Sequence, residues 1–213
     1  MRLWGLPLRG RGDNAFYTFC RWWAVPLLCG IYGLRARGVG NLPKDGPAIV
    51  IMNHKALIDP FVVGAICERP MRYMAKKELF HNPILRRLIV ALGAFPVDRG
   101  AGDREAIATA LRVLASGHVL LMFPEGHRQR DNRVHEFMPG VALIALRSGA
   151  PVLPLAVDGT QRMLRDGRPR LTKLRAALGP PIRFDDLSGR NSKTYHEATT
   201  RMYDALSGLY AGL

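Results

Sequence analysis

Short apolar runs alternate with longer amphipathic segments along the chain from residue 47 onward. Each run is rich in aliphatic residues and bounded by polar or turn-forming residues, which is typical of strands buried on both faces of a sheet. We therefore predict strands at residues 48–52, 71–75, 94–98, 119–123 and 152–157.

Helical signals lie between these runs. Asp59 and Asn82 each precede a proline, an arrangement that favours a capping side chain followed by a proline in the first helical turn. Residues 103–116 repeat apolar positions at helical spacing, and Gly117 follows them as a helix stop. Residues 192–212 predict a closing helix.

This alternation predicts an α/β fold, in which a largely parallel or mixed central sheet is flanked by helices. A chain of 213 residues is long enough for one well-filled core, and two domains of ordinary size would be crowded in it. We therefore predict a single domain over residues 46–213, with the loops at the strand ends available for a functional site.

The most hydrophobic stretch, residues 16–34, precedes the predicted sheet. A membrane-spanning helix needs about 20 apolar residues, whereas Arg21 and Pro26 interrupt this stretch. A secretory signal would be followed by small residues in an A-x-A pattern, which the sequence lacks there. Aromatic residues beside arginines are instead typical of a helix that lies among lipid headgroups.

We therefore predict that residues 1–45 form a membrane-interacting helical segment. The side chains expected to contact lipid are Trp22, Trp23, Leu27, Leu28 and Ile31. The alternative, in which this helix packs on the core of its own domain, stays open.

The charge balance points to a polyanionic partner. Lys and Arg total 31 against 17 Asp and Glu, which gives a formal net charge of +14. Such a surplus favours lipid headgroups, nucleic acid or phosphorylated substrates, and the sign alone does not choose among them. Part of it lies in residues 160–175, a basic stretch interrupted by Gly and Pro that predicts a surface loop.

The cysteines indicate neither a disulfide framework nor a metal site. Cys20, Cys29 and Cys67 are an odd number without C-x-x-C spacing or histidines at zinc-site intervals. We therefore expect no metal and a reducing, cytoplasmic environment.

The sequence NHKALIDP, residues 53–60, directly follows the first predicted strand. A histidine at a strand end and an aspartate five residues later can be brought together by the intervening turn. His54 would then be a general base and Asp59 the group that orients its ring. Taken alone, the pair is also compatible with a loop histidine and a helix-capping aspartate.

Two further strand ends carry groups suited to binding phosphate. Arg99 is followed by glycines and can present its guanidinium group to an anion, although a solvated loop arginine has the same pattern. In FPEGHR, residues 123–128, Gly126 permits close backbone approach and Arg128 can bind phosphate. Glu125 either accepts from a substrate hydroxyl or holds an arginine in place, and the second role is favoured.

These blocks, in this order and spacing, resemble the glycerolipid acyltransferase family with its H-x4-D motif, over about residues 40–165. His54 and Asp59 match the motif, and VLPLAV, with Pro154, is similar to the fourth block of the family. The other matching positions are Gly93, Phe95 and Arg99 in the second block and Phe123, Pro124, Glu125, Gly126 and Arg128 in the third, while Lys76 and Lys77 lie where the family has candidate phosphate contacts. The sequence departs from the family at His127 and Gln129, which stand where Thr and Ser are usual.

The resemblance implies a membrane-associated O-acyltransferase of the 1-acylglycerol-3-phosphate type, which makes phosphatidic acid for phospholipid biosynthesis. The acyl donor would be acyl-CoA or acyl carrier protein, with no cofactor, and the enzyme would lie at the cytoplasmic face of the cell membrane, peripheral or monotopic. His54 and Asp59 would be catalytic, whereas Arg99, Arg128 and Lys76 would bind the substrate phosphate. The remaining matched positions, Glu125, Gly126, Gly93, Phe123 and Pro124, would bind substrate or structure the site.

Two other functions stay open at this point. One is the same acyl transfer to another acceptor, such as glycerol 3-phosphate, another lysophospholipid or an aminoacyl lipid. The other is a non-catalytic, basic, membrane-binding adaptor. We expect no nucleic-acid partner, because the sequence has no helix-turn-helix, zinc or RNA-recognition pattern.

Overall fold

The computed structural model describes residues 15–97, 104–129, 131–165, 168–189 and 191–213. The helices are α1 (Ala15–Gly30), α2 (Asp59–Ile66), α3 (Pro83–Ala91), α4 (Arg104–Ala115), α5 (Gly140–Ser148) and α6 (Ser192–Ala211). The strands are β1 (Arg35–Arg37), β2 (Ala48–Met52), β3 (Met71–Lys76), β4 (Ala94–Val97), β5 (Val119–Met122), β6 (Val152–Asp158), β7 (Leu164–Arg165), β8 (Arg168–Pro169) and β9 (Arg175–Leu178).

Seven of these strands form one mixed sheet in the order β1-β9-β6-β2-β5-β3-β4. The run from β6 to β4 is parallel, whereas β9 pairs antiparallel with β6 and β1 follows β9 in parallel. The predicted α/β fold with a largely parallel or mixed sheet is confirmed. The predicted boundary between residues 45 and 46 stays a prediction, although β1, from the first part, joins the sheet.

Helices cover both faces of the sheet, because alternate side chains of each buried strand point to opposite sides. On β2, Val50 packs in the core under α1 and α2, whereas Ile49 and Ile51 pack in the core under α4, α5 and α6. Helix α3 lies on the same face as α1 and α2, since Tyr73 packs both against the cluster that contains α1 and α2 and against the cluster that contains Ile89 of α3. We call α1, α2 and α3 the first layer, and α4, α5 and α6 the second layer.

The two predicted caps have different outcomes. Asn82 caps α3, because its side-chain oxygen accepts from the backbone N–H groups of Ile84 at 3.0 Å and Leu85 at 3.1 Å. The prediction that Asp59 caps α2 was wrong. Asp59 is itself the first residue of α2 and makes no cap hydrogen bond; its carboxylate instead turns back toward the loop before the helix.

Helix α1 has one face on the core and one face in solvent. Tyr17, Arg21, Val25 and Leu28 repeat every three or four residues and are buried, so the helical period places them on one stripe. The prediction that Leu28 contacts lipid was therefore wrong, since its side chain is only 3% exposed. The other predicted contacts are exposed, namely Trp22, Trp23, Leu27 and Ile31. No helix in the described ranges is both long and apolar enough to cross a membrane.

The predicted surface loop at residues 160–175 contains regular structure. It comprises a short 3-10 helix at Thr160–Arg162 and the β7–β8 hairpin, and Arg175 opens β9. Strand β9 fills the sheet position next to β6 and has buried alanines. Its sequence, RAAL, lacks the β-branched residues by which a strand is usually recognised.

Candidate active site

The His54–Asp59 pair forms where β2 ends. The side chain of Asn53, the first residue after β2, bonds to the backbone of Val157 on β6. Its amide nitrogen donates to the carbonyl of Val157 at 2.8 Å, and its amide oxygen accepts from the N–H of Val157 at 2.9 Å. This contact holds the chain as it leaves the sheet. His54 and Asp59 are then joined by a hydrogen bond of 2.8 Å between Nδ1 and Oδ2.

Asp59 organises the whole turn between β2 and α2. Besides the ring nitrogen of His54, the same oxygen accepts from the backbone N–H groups of Lys55 at 2.7 Å and Ala56 at 2.8 Å. The carboxylate is fully buried. An ionised carboxylate only accepts hydrogen bonds, so Nδ1 donates and Nε2 carries the free lone pair. The ring therefore has the tautomer that a general base needs.

The other face of His54 rests on the loop after β5. Phe123 stacks on the imidazole with ring centroids 4.1 Å apart and planes inclined by 28°. The backbone N–H of Gln129 donates to the carbonyl of His54 at 2.8 Å. The ring is thus held on one side by Asp59 and on one face by an aromatic ring, and a rigid base loses little entropy in reaching its reactive position.

Glu125 joins the same two segments through its carboxylate. Oε2 accepts from the backbone N–H of His54 at 2.8 Å, and Oε1 accepts from the backbone N–H of His135 at 2.8 Å. The residue is only 2% exposed. Its partners are therefore two main-chain donors rather than the arginine that the sequence suggested. Through these bonds, Glu125 connects the residues after β2 to the loop after β5.

The two predicted glycines have different locations. Gly126, at φ +73°, turns the loop beside His54, and a Cβ there would lie 2.3 Å from Sδ of Met138. The turn is closed by the backbone N–H of Gly126, which donates to the carbonyl of Phe123 at 3.0 Å, and the N–H of Met138 donates to the carbonyl of Pro124 at 2.8 Å. Gly93, at φ +97°, precedes β4, and a Cβ there would lie 2.3 Å from the carbonyl oxygen of Met71.

Gly93 therefore lies at the opposite end of the parallel strands from His54, which follows β2. A glycine is required at this position because the backbone approaches β3 closely. The prediction that Gly93 helps to form the site is corrected accordingly: it shapes a turn at the amino ends of the strands.

The predicted phosphate-binding residues share an edge of the sheet with His54 where the structure describes them. Lys76 ends β3, is exposed, and pairs with Oε1 of Glu78 at 2.9 Å. Arg128 is exposed on the loop after β5. Because β2, β3 and β5 are parallel neighbours, their carboxyl ends meet at this edge. Arg99 lies outside the described residues.

Sequence reasoning missed Lys55, whose side chain is fully buried beside the His54–Asp59 pair. Its ammonium group donates to the carbonyl of Arg133 and lies 3.4 Å from Oδ1 of Asp131. Removal from solvent opposes ionisation of Asp131, but contacts with His135 and Lys55 lower its pKa to about 2. The position of Lys55 directly after His54 was the only available signal, and a lysine in a loop is ordinarily solvated.

The departures at His127 and Gln129 bring two polar side chains together, with Nε2 of each 2.8 Å apart. Within the described ranges, no group of three or more His, Cys, Asp or Glu side chains is arranged to hold a metal ion.

Comparisons with known proteins identify the family of the chain. Residues 33–158 match the family described as Acyltransferase. The chain is 32% identical over 196 residues to a 1-acyl-sn-glycerol-3-phosphate acyltransferase from Streptococcus pneumoniae, covering 90% of this chain and 72% of that protein. An enzyme of the same name from Bacillus subtilis is 29% identical over 195 residues, covering 90% of this chain and 93% of that protein.

A plant relative of that name, from Limnanthes douglasii, is 33% identical over 165 residues, covering 75% of this chain. The matched part spans 59% of the plant protein. The solved structure of a 1-acyl-sn-glycerophosphate acyltransferase from Thermotoga maritima has the same fold, with a TM-score of 0.71 and 24% identity, and covers 89% of this chain and 79% of that one. The chain therefore belongs to the acyltransferase family, as its spaced motifs predicted.

Proposed function

We propose that this chain is a 1-acyl-sn-glycerol-3-phosphate O-acyltransferase, which converts its acceptor to phosphatidic acid. The observation that carries the proposal is the buried His54–Asp59 hydrogen bond of 2.8 Å at the sheet edge that also carries Lys76 and Arg128. A general base beside exposed cations suits an acceptor that has both a hydroxyl and a phosphate group. The names of the bacterial relatives support the same acceptor.

In the proposed reaction, Nε2 of His54 accepts the hydroxyl proton as the acceptor oxygen attacks the carbonyl carbon of a thioester. Asp59 stabilises the imidazolium that forms, because its carboxylate already accepts from Nδ1. The tetrahedral intermediate collapses as the C–S bond breaks, and the proton returns from His54 to the leaving thiolate. Ester and thiol are the products, so no acyl-enzyme and no cofactor are needed.

The acceptor phosphate is proposed to bind Arg99, Arg128 and Lys76. Arginine pairs with phosphate through two parallel N–H donors, whereas lysine contributes a single ammonium group. The donor is a fatty acyl thioester, on coenzyme A or acyl carrier protein. An apolar pocket between α1 and α2 is lined by Ala24, Phe61 and Pro60, the residue that follows Asp59, among others, and its apolar lining suits an acyl chain.

We also propose that the first layer rests on the cytoplasmic face of the cell membrane. Trp22 and Trp23 of α1 are 57% and 65% exposed, and α3 adds Ile84 at 81%. Arg86 and Arg87 of α3 are exposed beside Ile84. Apolar and aromatic side chains insert among acyl chains while cations meet anionic headgroups, which suits an enzyme whose substrate resides in the bilayer.

A panel of acceptors tests the proposed activity. The purified chain is incubated with radiolabelled acyl-CoA or acyl carrier protein and with 1-acylglycerol 3-phosphate, glycerol 3-phosphate or lysophosphatidylcholine, and the lipid products are separated. We expect phosphatidic acid from the first acceptor at the highest kcat/KM. Preference for glycerol 3-phosphate would assign the chain to the alternative acceptor, and no ester product from any acceptor would contradict an enzymatic role.

A further inference from the structure

The buried cation beside the catalytic pair has no part in the reaction written above. Lys55 follows His54 directly, and its side chain is fully buried. A buried ammonium group is unfavourable unless charge and hydrogen-bond partners replace water. Those partners all lie elsewhere in the chain, on the loop between β5 and α5 and on α6.

Along the chain, the loop partners of Lys55 follow Arg128, whereas Glu125 precedes it. The ammonium group donates to the carbonyl of Arg133 and reaches Oδ1 of Asp131 at 3.4 Å. Nζ also lies 5.4 Å from the ring centroid of Tyr210 on α6, within the range of a cation–π contact.

Asp131 is itself held in place. Its other carboxylate oxygen lies 2.7 Å from Nε2 of His135 and accepts from Nε of Arg133 at 3.2 Å. The backbone N–H of His135 in turn donates to Glu125. Asp131 is therefore a fixed attachment point for Lys55.

Arg128 thus lies on a segment whose two ends are attached to consecutive residues. On one side, the loop meets His54 through Glu125 and through the N–H of Gln129, and on the other it meets Lys55. Two attachments restrict where a guanidinium group on the intervening loop can lie relative to the ring of His54. Pre-organisation of this kind reduces the entropy lost when a ligand binds.

We propose that Lys55 is a positioning residue, which holds the loop that carries Arg128 at a set distance from His54 and thereby favours binding of the acceptor phosphate. The proposal rests on the role of Arg128 in the proposed function. Lys55 acts through its ammonium group on the loop, whereas its backbone N–H supports Asp59 and is retained in any side-chain variant.

The test is a double-mutant cycle with Lys55→Met and Arg128→Ala, measured as kcat and as KM for the acceptor and the donor. Methionine keeps the apolar stem and removes the donors. We expect Lys55→Met to raise the acceptor KM about tenfold, as for loss of a buried charged hydrogen bond, with kcat and the donor KM nearly unchanged. In the Arg128→Ala background, the same substitution should have no further effect, because residues that act as one unit are not additive.

Two variants separate positioning from general destabilisation. Leu114→Ala removes buried packing on α4 far along the sheet from the loop, so it should lower the melting temperature without changing the acceptor KM. Asp131→Asn removes the loop-side charge and should raise the acceptor KM less than Lys55→Met does. It also serves as the test if Lys55→Met fails to fold.

Three results would overturn the proposal. An equal rise of the acceptor KM by Lys55→Met with and without Arg128 would show that Lys55 does not act through Arg128. A fall of kcat alone would place its effect on His54. If Arg128→Ala itself leaves the acceptor KM unchanged while His54→Ala abolishes product, the phosphate assignment fails and this inference with it, whereas the acyl-transfer activity stands.

Discussion

The first and second layers cover the same sheet but differ in the surfaces they present to solvent. In the described parts of the chain, every large hydrophobic side chain that is exposed on a helix belongs to α1, α2 or α3. Helices α4, α5 and α6 bury their apolar faces and expose polar ones. Both layers bury apolar side chains of the sheet, but among these helices only those of the first layer keep apolar surface that the domain itself does not cover.

This difference coincides with the location of the proposed active site. The His54–Asp59 pair lies at the start of α2, one of the three helices that carry the exposed apolar residues. A site that receives a lipid acceptor benefits from apolar surroundings, whereas a helix that only covers the sheet does not. Under the proposed function, the first layer would combine catalysis with lipid contact, and the second layer would only cover the other face of the sheet.

The largest expected effect is loss of the base. His54→Ala should reduce kcat by at least about a hundredfold, within the range found for general base catalysis, and leave the circular dichroism spectrum unchanged. His196→Ala on α6, whose side chain is exposed in the second layer, is the matched control and should retain full activity. Normal product formation by folded His54→Ala would end the proposed mechanism.

The next effect concerns lipid contact. Trp22→Glu combined with Trp23→Glu should reduce binding to anionic vesicles about tenfold or more, since it replaces apolar insertion with charge repulsion. His196→Glu with Thr200→Glu adds the same two carboxylates to the exposed face of α6. Flotation of both variants with vesicles decides, and an equal loss of binding in the two would mean that net charge alone governs association.

Deletion of residues 1–37 would be a poorer test of this contact. It would also remove Val25 and Leu28 from the core and β1 from the sheet. An aggregated product would then report exposed core, so point substitutions on the outer face of α1 are preferable.

A smaller effect separates the two faces of α1 itself. Leu28→Ala should lower the free energy of unfolding by about 2 to 4 kcal/mol, because it leaves a cavity in the core. Leu27→Ala, whose side chain is 52% exposed, should change it by less than about 0.5 kcal/mol. Chemical denaturation measures both, and similar values for the pair would mean that α1 does not dock as described.

The smallest expected effect is that of a chelator. A thioester is reactive enough for attack by a hydroxyl group with His54 as base, so EDTA should leave the initial rate unchanged. Loss of activity that one divalent ion restores would add a metal-dependent step to the proposed reaction.

The sequence predicted the His54–Asp59 pair better than the contacts that surround it. His54 and Asp59 are five residues apart, so a short turn is enough to place them near each other. The capping prediction for Asp59 was wrong because an aspartate before a proline has the same sequence pattern whether it caps a helix or orients a histidine. The contact with Asp59 depends on the direction of its side chain, which sequence spacing does not specify.

Contacts between distant segments could not be predicted in the same way. The partners of Glu125 lie on the loops around His54 and His135, and those of Lys55 lie on a loop and on α6. Helix α5 was missed because its short apolar sequence resembles a buried strand. Strand β9 was missed because it is recognised by its pairing with β6 and β1 rather than by its residues.

The sequence by itself determined the elements with strong local patterns: the central strands, the Asn82 cap, the amphipathic α4 and the pairing of His54 with Asp59. These follow from periodicity and short-range geometry. Only the tertiary structure decided that Leu28 faces the core while Leu27 faces solvent, that Gly93 lies far from the site, and that Lys55 is buried. Those outcomes depend on which surfaces pack together, and burial is a property of the assembled layers rather than of any one segment.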